Sequence, residues 1–491
     1  MPIAIIFSIV GVALLSFLWI ENDVSLLTQT FYILPWTLLS AICVLGPSAY
    51  LLYIGKFDLF HPLVSAAWTC VLPAYVGGSL LIAFGWVNQF YFPLIGDPEY
   101  NLPLSLVYIS VGFLGMTAGF FLPPGQFLSD LIKPRLPKWN WKPEQVWLPG
   151  TLLLFFGIGF HVLGFAMGLV GYQRNTGATE FDALMWYLML LFIAGTVLLW
   201  LAVFNSKERG LAFYSVVILL LILVPIRLLV FGSRGSLLVS LTPVMFCFLA
   251  SGRKLTFRLA LTFAGIGFLA AIIGMAYGTT FRNIKGSEDR TSVQVYFDEI
   301  PATIDYLSTQ DPAAIIGQSS EVLAGRVEGL SSVAVVVANY EQLAPYEASY
   351  GLENNILNDL YTSFIPRFIW SDKPSVSDGR AYSDLYFNFG DSTFAISPFA
   401  DLLRNFGPVG VPLGMLVLGI YLRFLYSTLI DTPDPAMWKK VAYFVLMAGL
   451  SYEGFYATMF PVAIRIFLVL AVSLFLVNLI AQRIKTLPRS A

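Results

Sequence analysis

Long apolar runs alternate with short polar connections over most of the chain. A helix that crosses a bilayer needs about 20 mostly apolar residues, and runs of this kind predict twelve spans. They lie near residues 2–20, 29–53, 60–86, 103–122, 147–171, 183–204, 213–231, 236–251, 259–279, 407–427, 439–460 and 464–482. The first run lacks a basic flank and a small-residue cleavage site, so we interpret it as a span. The pattern predicts an all-α polytopic membrane protein.

One long polar segment, residues 280–406, interrupts this series. It separates spans 1–9 (residues 1–279) from spans 10–12 and a C-terminal tail (residues 407–491). A connection of roughly 127 residues is too long to be structureless. Apolar positions at helical spacing predict helices over 292–307 and over 318–343, where Arg326 and Glu328 interrupt the apolar pattern. Tyr350-Gly351 predicts a turn before another helix. The segment is therefore predicted to be mostly helical.

Basic residues concentrate in alternate short connections. Sixteen of the 28 Lys and Arg residues would share the side of the N-terminus: Lys56, Lys133, Arg135, Lys138, Lys142, Lys207, Arg209, Arg253, Lys254, Arg258, Arg423, Lys439, Lys440, Arg483, Lys485 and Arg489. The other short connections hold Arg174, Arg234 and Arg465. Because cytoplasmic loops are enriched in Lys and Arg, we expect both termini in the cytoplasm. Segment 280–406, with eight basic and seventeen acidic residues, is then expected outside.

Composition narrows the function classes. Hydrophobic residues make up 57% of the chain and charged residues 12%, about half the charge of a soluble domain. A soluble enzyme, a nucleic-acid binder and a disordered chain are therefore excluded. Cys43, Cys70 and Cys247 lie in apolar runs without metal-ligand spacing. No metal and no cofactor is predicted.

The most distinctive polar motif spans residues 364–374, Phe-Ile-Pro-Arg-Phe-Ile-Trp-Ser-Asp-Lys-Pro. Its two prolines disfavour a helix, so we expect Arg367 and Lys373 on a rigid, non-helical stretch. Other motifs accompany it: Leu-Phe-His-Pro-Leu at 59–63, Gly-Ser-Arg-Gly at 232–235, Arg326, Tyr350-Gly351, and Asn-Phe-Gly-Pro-Val-Gly at 405–410. In this order they resemble the Wzy-type O-antigen polymerases, or oligosaccharide repeat-unit polymerases, over nearly the whole chain.

The resemblance implies a metal-independent, GT-C-like glycosyltransferase of the bacterial inner membrane. Such an enzyme moves a growing glycan from its undecaprenyl pyrophosphate to the far sugar of a single lipid-linked unit, on the periplasmic face. The product would be O-antigen, capsule or exopolysaccharide. The implied partners are the undecaprenyl-pyrophosphate-linked glycan, membrane lipid, a chain-length regulator and a flippase, with no nucleic acid.

A diphosphate leaving group gathers negative charge that fixed cations must meet. The candidates on the expected outer side are Arg227, Arg234, Arg326, Arg367 and Lys373. Arginine binds phosphate oxygens bidentately and stays charged in a low dielectric. Each candidate also has a structural interpretation, as an ion pair or as a side chain that reaches the membrane interface.

An acceptor hydroxyl is a weak nucleophile and benefits from a general base. The candidates are Glu453, in the outer half of the eleventh span, His161, Asp372 and Glu328. Glu453 also fits a role in capping or pairing with a neighbouring helix, and His161 also fits a hydrogen-bonded interior histidine. Trp370 is a candidate for stacking on a sugar, since aromatic side chains offer flat apolar faces.

Two other functions fit parts of the pattern. An O-antigen ligase also has many spans and a large outer loop, but ligase-like chains usually carry a histidine there and residues 280–406 contain none. A flippase or transporter of lipid-linked sugars would suit twelve spans. Such proteins often show two related halves, and the long segment has no counterpart early in the chain.

Overall fold

A computed structural model describes residues 30–86, 89–170, 182–231, 235–286, 293–362, 365, 369–370, 373, 377–390, 393–394 and 396–486. All regular structure within these ranges is helical. The first predicted span, residues 2–20, lies outside them.

Nine helices within the described ranges are long and apolar enough to cross a membrane, by length and composition. They are Phe31–Tyr53, Pro62–Ala83, Pro98–Phe121, Pro143–Ala166, Leu184–Asn205, Leu211–Leu229, Phe257–Lys285, Pro398–Leu429 and Tyr456–Ile484. Each coincides with a predicted span, and together they indicate a multi-pass membrane protein. At the eighth and eleventh predicted spans the structure has the shorter helices Ser236–Ala250 and Met437–Ala448. The total of twelve stays a prediction.

Five further helices lie between Phe257–Lys285 and Pro398–Leu429, and we call residues 293–397 the cap. The cap helices are Val293–Thr309, Pro312–Val327, Leu330–Glu347, Asn355–Thr362 and Gly379–Phe387. The helix predicted over 292–307 is confirmed.

The prediction of one continuous helix over 318–343 is wrong. One helix ends at Val327 and another begins at Leu330. Glu328 between them has extended backbone angles. The Gly329 backbone N–H donates to the carbonyl oxygen of Ala74, 3.0 Å away, in a transmembrane helix. This long-range hydrogen bond replaces a bond within the helix, and local spacing cannot reveal it.

Two large apolar cores organise the bundle. The first joins helices Phe31–Tyr53, Pro62–Ala83, Pro98–Phe121 and Pro398–Leu429 with cap helix Leu330–Glu347. The second joins, among others, helices Pro143–Ala166, Leu184–Asn205, Met437–Ala448 and Tyr456–Ile484. The cap is therefore built onto the first core.

The two ends of the bundle differ. At one end, Phe165, Leu228 and Phe281 pack with Ile300 and Leu307 of the cap. At the other end, the connections that follow residues 53, 205, 250 and 429 meet around a cavity of about 740 Å³. The basic connections near these positions therefore lie at the end away from the cap.

Helices Pro98–Phe121 and Pro398–Leu429 touch backbone to backbone. A Cβ atom at Gly119 would collide with the carbonyl oxygen of Leu416, and one at Gly419 with that of Met116. Small residues allow such close helix packing within membranes. This crossing joins a span of the first core to the helix that follows the cap.

We expect Gly119→Val to destabilise the protein by about 1–3 kcal/mol, because the two backbones must move apart. The midpoint of thermal unfolding in detergent measures the change. Gly159→Val is the matched control, since nothing lies within 4 Å of the Cβ position of Gly159. Equal losses in both variants would contradict the close-packing argument.

Candidate functional site

Helix Pro62–Ala83 is not a regular α-helix throughout. Residues Ala67–Gly77, here called the π segment, form a π-helix that contains Pro73. π-Helical turns are rare, are mostly single, and often mark functional sites. Two of the carboxylates predicted as general bases, Glu328 and Glu453, lie beside this segment.

Glu328 is buried at the junction of two cap helices, Pro312–Val327 and Leu330–Glu347. There it packs against transmembrane helix Pro62–Ala83. A Cβ atom at Gly78 would lie 3.3 Å from the Glu328 Cα atom, so the two backbones approach closely. The Glu328 Oε1 atom accepts the backbone N–H of Ser331 at 2.7 Å. Its Oε2 atom is buried without a hydrogen-bond partner within the described ranges. Burial raises the pKa of Glu328 to about 7, against the opposing effect of the hydrogen bonds from Ser331 and Leu330.

This raised pKa predicts a pH-dependent stability. The fold favours the protonated carboxyl, so the stabilisation is complete below the ordinary pKa of 4.5 and is lost as pH rises through about 7. Glu328→Gln keeps a neutral side chain at every pH. We expect it to be more stable than the wild type at neutral pH by up to about 3 kcal/mol, with no gain in acid. Thermal midpoints between about pH 4 and pH 8 test this, with exposed Glu353→Gln as control. Parallel curves for wild type and Glu328→Gln would contradict it.

Glu453 lies on a break in the predicted eleventh span. The continuous span predicted over 439–460 is wrong, because helix Met437–Ala448 ends and residues 449–455, here called the bend, precede helix Tyr456–Ile484. Gly449 and Gly454, near the two ends of the bend, disfavour helix. Leu450, Tyr452 and Phe455 of the bend are buried, whereas Glu453 is exposed. Non-helical backbone at membrane depth occurs where it is buried in protein or lines a water-filled space.

The bend also brings Glu453 within electrostatic range of the π segment. The Glu453 carboxylate acts electrostatically on Cys70 and Tyr75, while Glu328 packs against Gly78 at the end of the same segment. The structure therefore places an accessible carboxylate and a buried carboxyl beside one helix. Of the two, Glu328 has a pKa of about 7, so its carboxyl can take up and release a proton near neutral pH.

A buried ion cluster holds the bend in place. The Arg404 Nη2 atom lies 2.7 Å from Asp401 Oδ1, and its Nη1 atom lies 3.1 Å from Glu347 Oε1, with all three side chains almost fully buried. The Asp401 Oδ2 atom accepts the backbone N–H of Ala457 at 3.0 Å. Asp401 thus caps the helix that follows the bend, where a negative charge is favoured. Asp401, Arg404 and Glu347 link the cap, helix Pro398–Leu429 and the bend.

Sequence reasoning missed these three residues. Asp401 and Arg404 stand three positions apart just after Pro398, a spacing that favours an ion pair on a helix. That signal was available in the sequence. Nothing local connects Glu347 to them, since it lies 57 positions before Arg404.

The cap gathers further charges around Asp359. Burial raises the pKa of Asp359, and so does Asp401, whereas the hydrogen bond from Ser377 and the charges of Arg465 and Lys373 lower it. The Lys373 ammonium donates to the carbonyl oxygens of Thr362 at 2.7 Å and Ile365 at 3.3 Å. Lys373 therefore contacts the C-terminal end of cap helix Asn355–Thr362, and its binding of diphosphate stays a prediction.

The other predicted cations lie elsewhere. Arg326 is exposed in the last turn of helix Pro312–Val327, two residues before Glu328. Arg227 lines a cavity of about 220 Å³ among the transmembrane helices, and Arg326 is not among the described residues that line it. The Arg227 guanidinium lies 5.0 Å from the centre of the Phe192 ring.

His161 lies against the Phe192 ring, which Arg227 also contacts. Its ring lies 5.2 Å from the Phe192 ring, and its Nδ1 atom is 2.8 Å from the carbonyl oxygen of Gly157 one turn earlier. This geometry fits a histidine that is hydrogen-bonded to its own helix. Trp370 is exposed in the cap. Arg234, Arg367 and Asp372 lie outside the described residues.

Within the described ranges, no group of three or more His, Cys, Asp or Glu side chains is placed to hold a metal ion. The model of the family described as "Domain of unknown function (DUF8712)" matches residues 153–428. This range includes the cap, Glu328 and the ion cluster, and it excludes the π segment and the bend. No curated protein and no solved structure matches the chain.

Proposed function

The chain belongs to the family of the domain of unknown function DUF8712, and we propose that it is a polymerase of lipid-linked oligosaccharide repeat units. Its substrates would be undecaprenyl-pyrophosphate-linked glycans. The reaction would be a GT-C-like glycosyl transfer without a metal ion. The bundle of apolar helices with a large polar cap at one end supports a reaction between lipid-linked glycans at a membrane surface.

One observation carries the proposal. An exposed carboxylate, Glu453, and a buried carboxyl with a pKa of about 7, Glu328, lie beside the same π segment. Glycosyl transfer to a hydroxyl needs a group that accepts its proton, and such a group works best with a pKa near the working pH. Glu453 is the better base because it is accessible, and Glu328 would exchange protons behind it.

The proposed step moves the glycan from the lipid diphosphate to the acceptor hydroxyl. The acceptor hydroxyl oxygen forms a bond to the anomeric carbon of the donor glycan and transfers its proton to the Glu453 carboxylate. The bond between that carbon and the diphosphate oxygen breaks, and the lipid diphosphate leaves with its electron pair. Arg326, exposed beside Glu328, would meet the charge on the leaving group. A bidentate contact from arginine to phosphate oxygens suits this role.

The distribution of basic residues supports an orientation. The connections rich in Lys and Arg lie at the end away from the cap, and such loops favour the cytoplasm. We therefore place the cap on the periplasmic side of a bacterial inner membrane, with both termini in the cytoplasm. The diphosphate and the acceptor would meet on the periplasmic side.

Deletion of the gene in its bacterium tests the proposal. We expect the surface glycan to shrink from a polymer to a single repeat unit, and the wild-type gene to restore the polymer. Free polymer left on its lipid would indicate a ligase instead, and repeat units stranded in the cytoplasm would indicate a flippase. An unchanged surface glycan would contradict all three functions.

A transporter of lipid-linked sugars is the second candidate, and the bend favours it. Secondary transporters use discontinuous transmembrane helices to bind substrates near the middle of the membrane. In this chain Asp401 already occupies the N-terminal end of the helix after the bend, so a substrate anion has no place there. Because Asp401 occupies this position, we rank the transporter below the polymerase.

A further inference from the structure

A second cavity lies at the cap end of helix Phe257–Lys285. It has a volume of about 240 Å³ and is bounded by that helix and by cap helices Val293–Thr309 and Pro312–Val327. Neither Glu328 nor Glu453 lines it. It is therefore separate from the carboxylates beside the π segment.

Its walls combine neutral hydrogen-bonding groups with small apolar surfaces. Besides Tyr306, six side chains with hydroxyl or amide groups line it: Thr279, Thr280, Asn283, Gln310, Gln318 and Ser319. The aromatic ring of Tyr306 is also in the wall, and no described lining residue carries a charge. The Thr279 hydroxyl is buried without a hydrogen-bond partner within the described ranges. A buried hydroxyl without a partner is unfavourable, and a hydrogen-bonding ligand would offset that cost.

This chemistry identifies the class of ligand. A phosphate or a carboxylate would need cations, which the described walls lack. A lipid chain would leave the six polar side chains without partners. An uncharged sugar ring carries hydroxyl groups that donate and accept, together with apolar C–H faces that suit an aromatic ring. A cavity of about 240 Å³ has room for a single ring.

We propose that this cavity binds one uncharged sugar residue of the glycan substrate, an inference that rests on the proposed function. Ser319, Val322 and Arg326 recur at helical spacing on Pro312–Val327, so they share one face. Seven residues of helix span about 10 Å. A ring bound beside Ser319 would therefore lie about 10 Å along the helix from Arg326. Further sugars of the same oligosaccharide would bridge this distance to the diphosphate.

Saturation-transfer NMR on the purified full-length protein in lipid nanodiscs tests the cavity. The probes are glucose, galactose, rhamnose and N-acetylglucosamine as neutral sugars, and glucuronic acid as the charged one. We expect transfer to at least one neutral sugar and none to glucuronic acid. Gln318→Leu keeps a similar volume but removes the amide, and it should reduce the transfer several-fold. Gln342→Leu, at an exposed glutamine of the cap outside the cavity, should leave it unchanged.

Thr279→Val is a second variant, because it removes only the buried hydroxyl and keeps the shape of the side chain. Variants with a wild-type thermal midpoint are compared, so that misfolding does not mimic lost binding. No transfer to any neutral sugar, equal transfer to glucuronic acid, or full transfer in both folded variants would overturn the sugar site. If both variants lose binding but deletion of the gene leaves the surface glycan unchanged, the sugar site stands and the polymerase function is wrong. If deletion gives the polymerase phenotype but both variants bind as the wild type does, the polymerase function stands and the sugar site is wrong.

Discussion

Replacement of Arg404 by alanine is expected to destabilise the protein by about 3–5 kcal/mol, because it leaves two buried carboxylates without a cation. Asp401 and Glu347 both depend on the Arg404 guanidinium, and all three side chains are almost fully buried. We expect a large fall in the thermal midpoint in detergent and a loss of membrane-inserted protein. The effect should reach the bend, since Asp401 also accepts the Ala457 N–H.

Arg380→Ala is the matched control, because Arg380 is an exposed arginine of the cap. It should leave the midpoint close to that of the wild type. A double variant with Asp401→Asn and Arg404→Met would carry fewer unpaired charges and should recover part of the loss. If Arg404→Ala and Arg380→Ala unfold at the same temperature, the cluster does not hold the cap to the bundle.

Replacement of Glu453 by glutamine is expected to reduce the rate of repeat-unit transfer about 10²- to 10⁴-fold, the usual contribution of a general base. Glutamine keeps the size and exposure of the side chain but does not accept a proton from the acceptor hydroxyl. The rate is measured with purified protein and lipid-linked repeat units, from the length of the glycan over time. Because Glu453 is exposed, we expect the thermal midpoint to stay unchanged.

Glu353→Gln is the control for this second result, since Glu353 is an exposed glutamate of the cap. It should transfer repeat units at the wild-type rate. Glu453→Asp should retain part of the activity, because it keeps the carboxylate at a shorter reach. A wild-type rate for Glu453→Gln would remove Glu453 as the base and leave Glu328 as the described carboxyl beside the π segment.

The membrane helices were predictable, whereas their interruptions were not. Nine predicted spans coincide with long apolar helices, because a crossing requires only a local run of apolar residues. The breaks at Glu328-Gly329 and in the bend depend on distant partners. Gly329 donates to Ala74, and the helix after the bend begins at a cap from Asp401. Apolar spacing carries no information about either contact.

In the candidate site too, the sequence predicted individual residues but not how they come together. Glu328 and Glu453 were predicted as separate candidates for the general base, Glu453 because an ionisable residue within a span is unusual. Both lie beside the π segment, although Glu328 follows that segment by about 250 positions and Glu453 by about 375. Packing between these distant segments also buries Glu328, and burial raises its pKa. Lys373 was predicted to bind diphosphate, and the structure shows its ammonium bound to two carbonyl oxygens at a helix end.

The sequence by itself determined the membrane class, the positions of most spans, the large helical cap and its surplus of acidic residues. These properties depend on local composition and periodicity, which need no knowledge of the neighbours of a residue. Only the tertiary structure decided which carboxylates are buried, which cation pairs with them, and which neutral side chains enclose a cavity. Burial and pairing are properties of residues that meet from distant parts of the chain, so they exist only once the helices have packed.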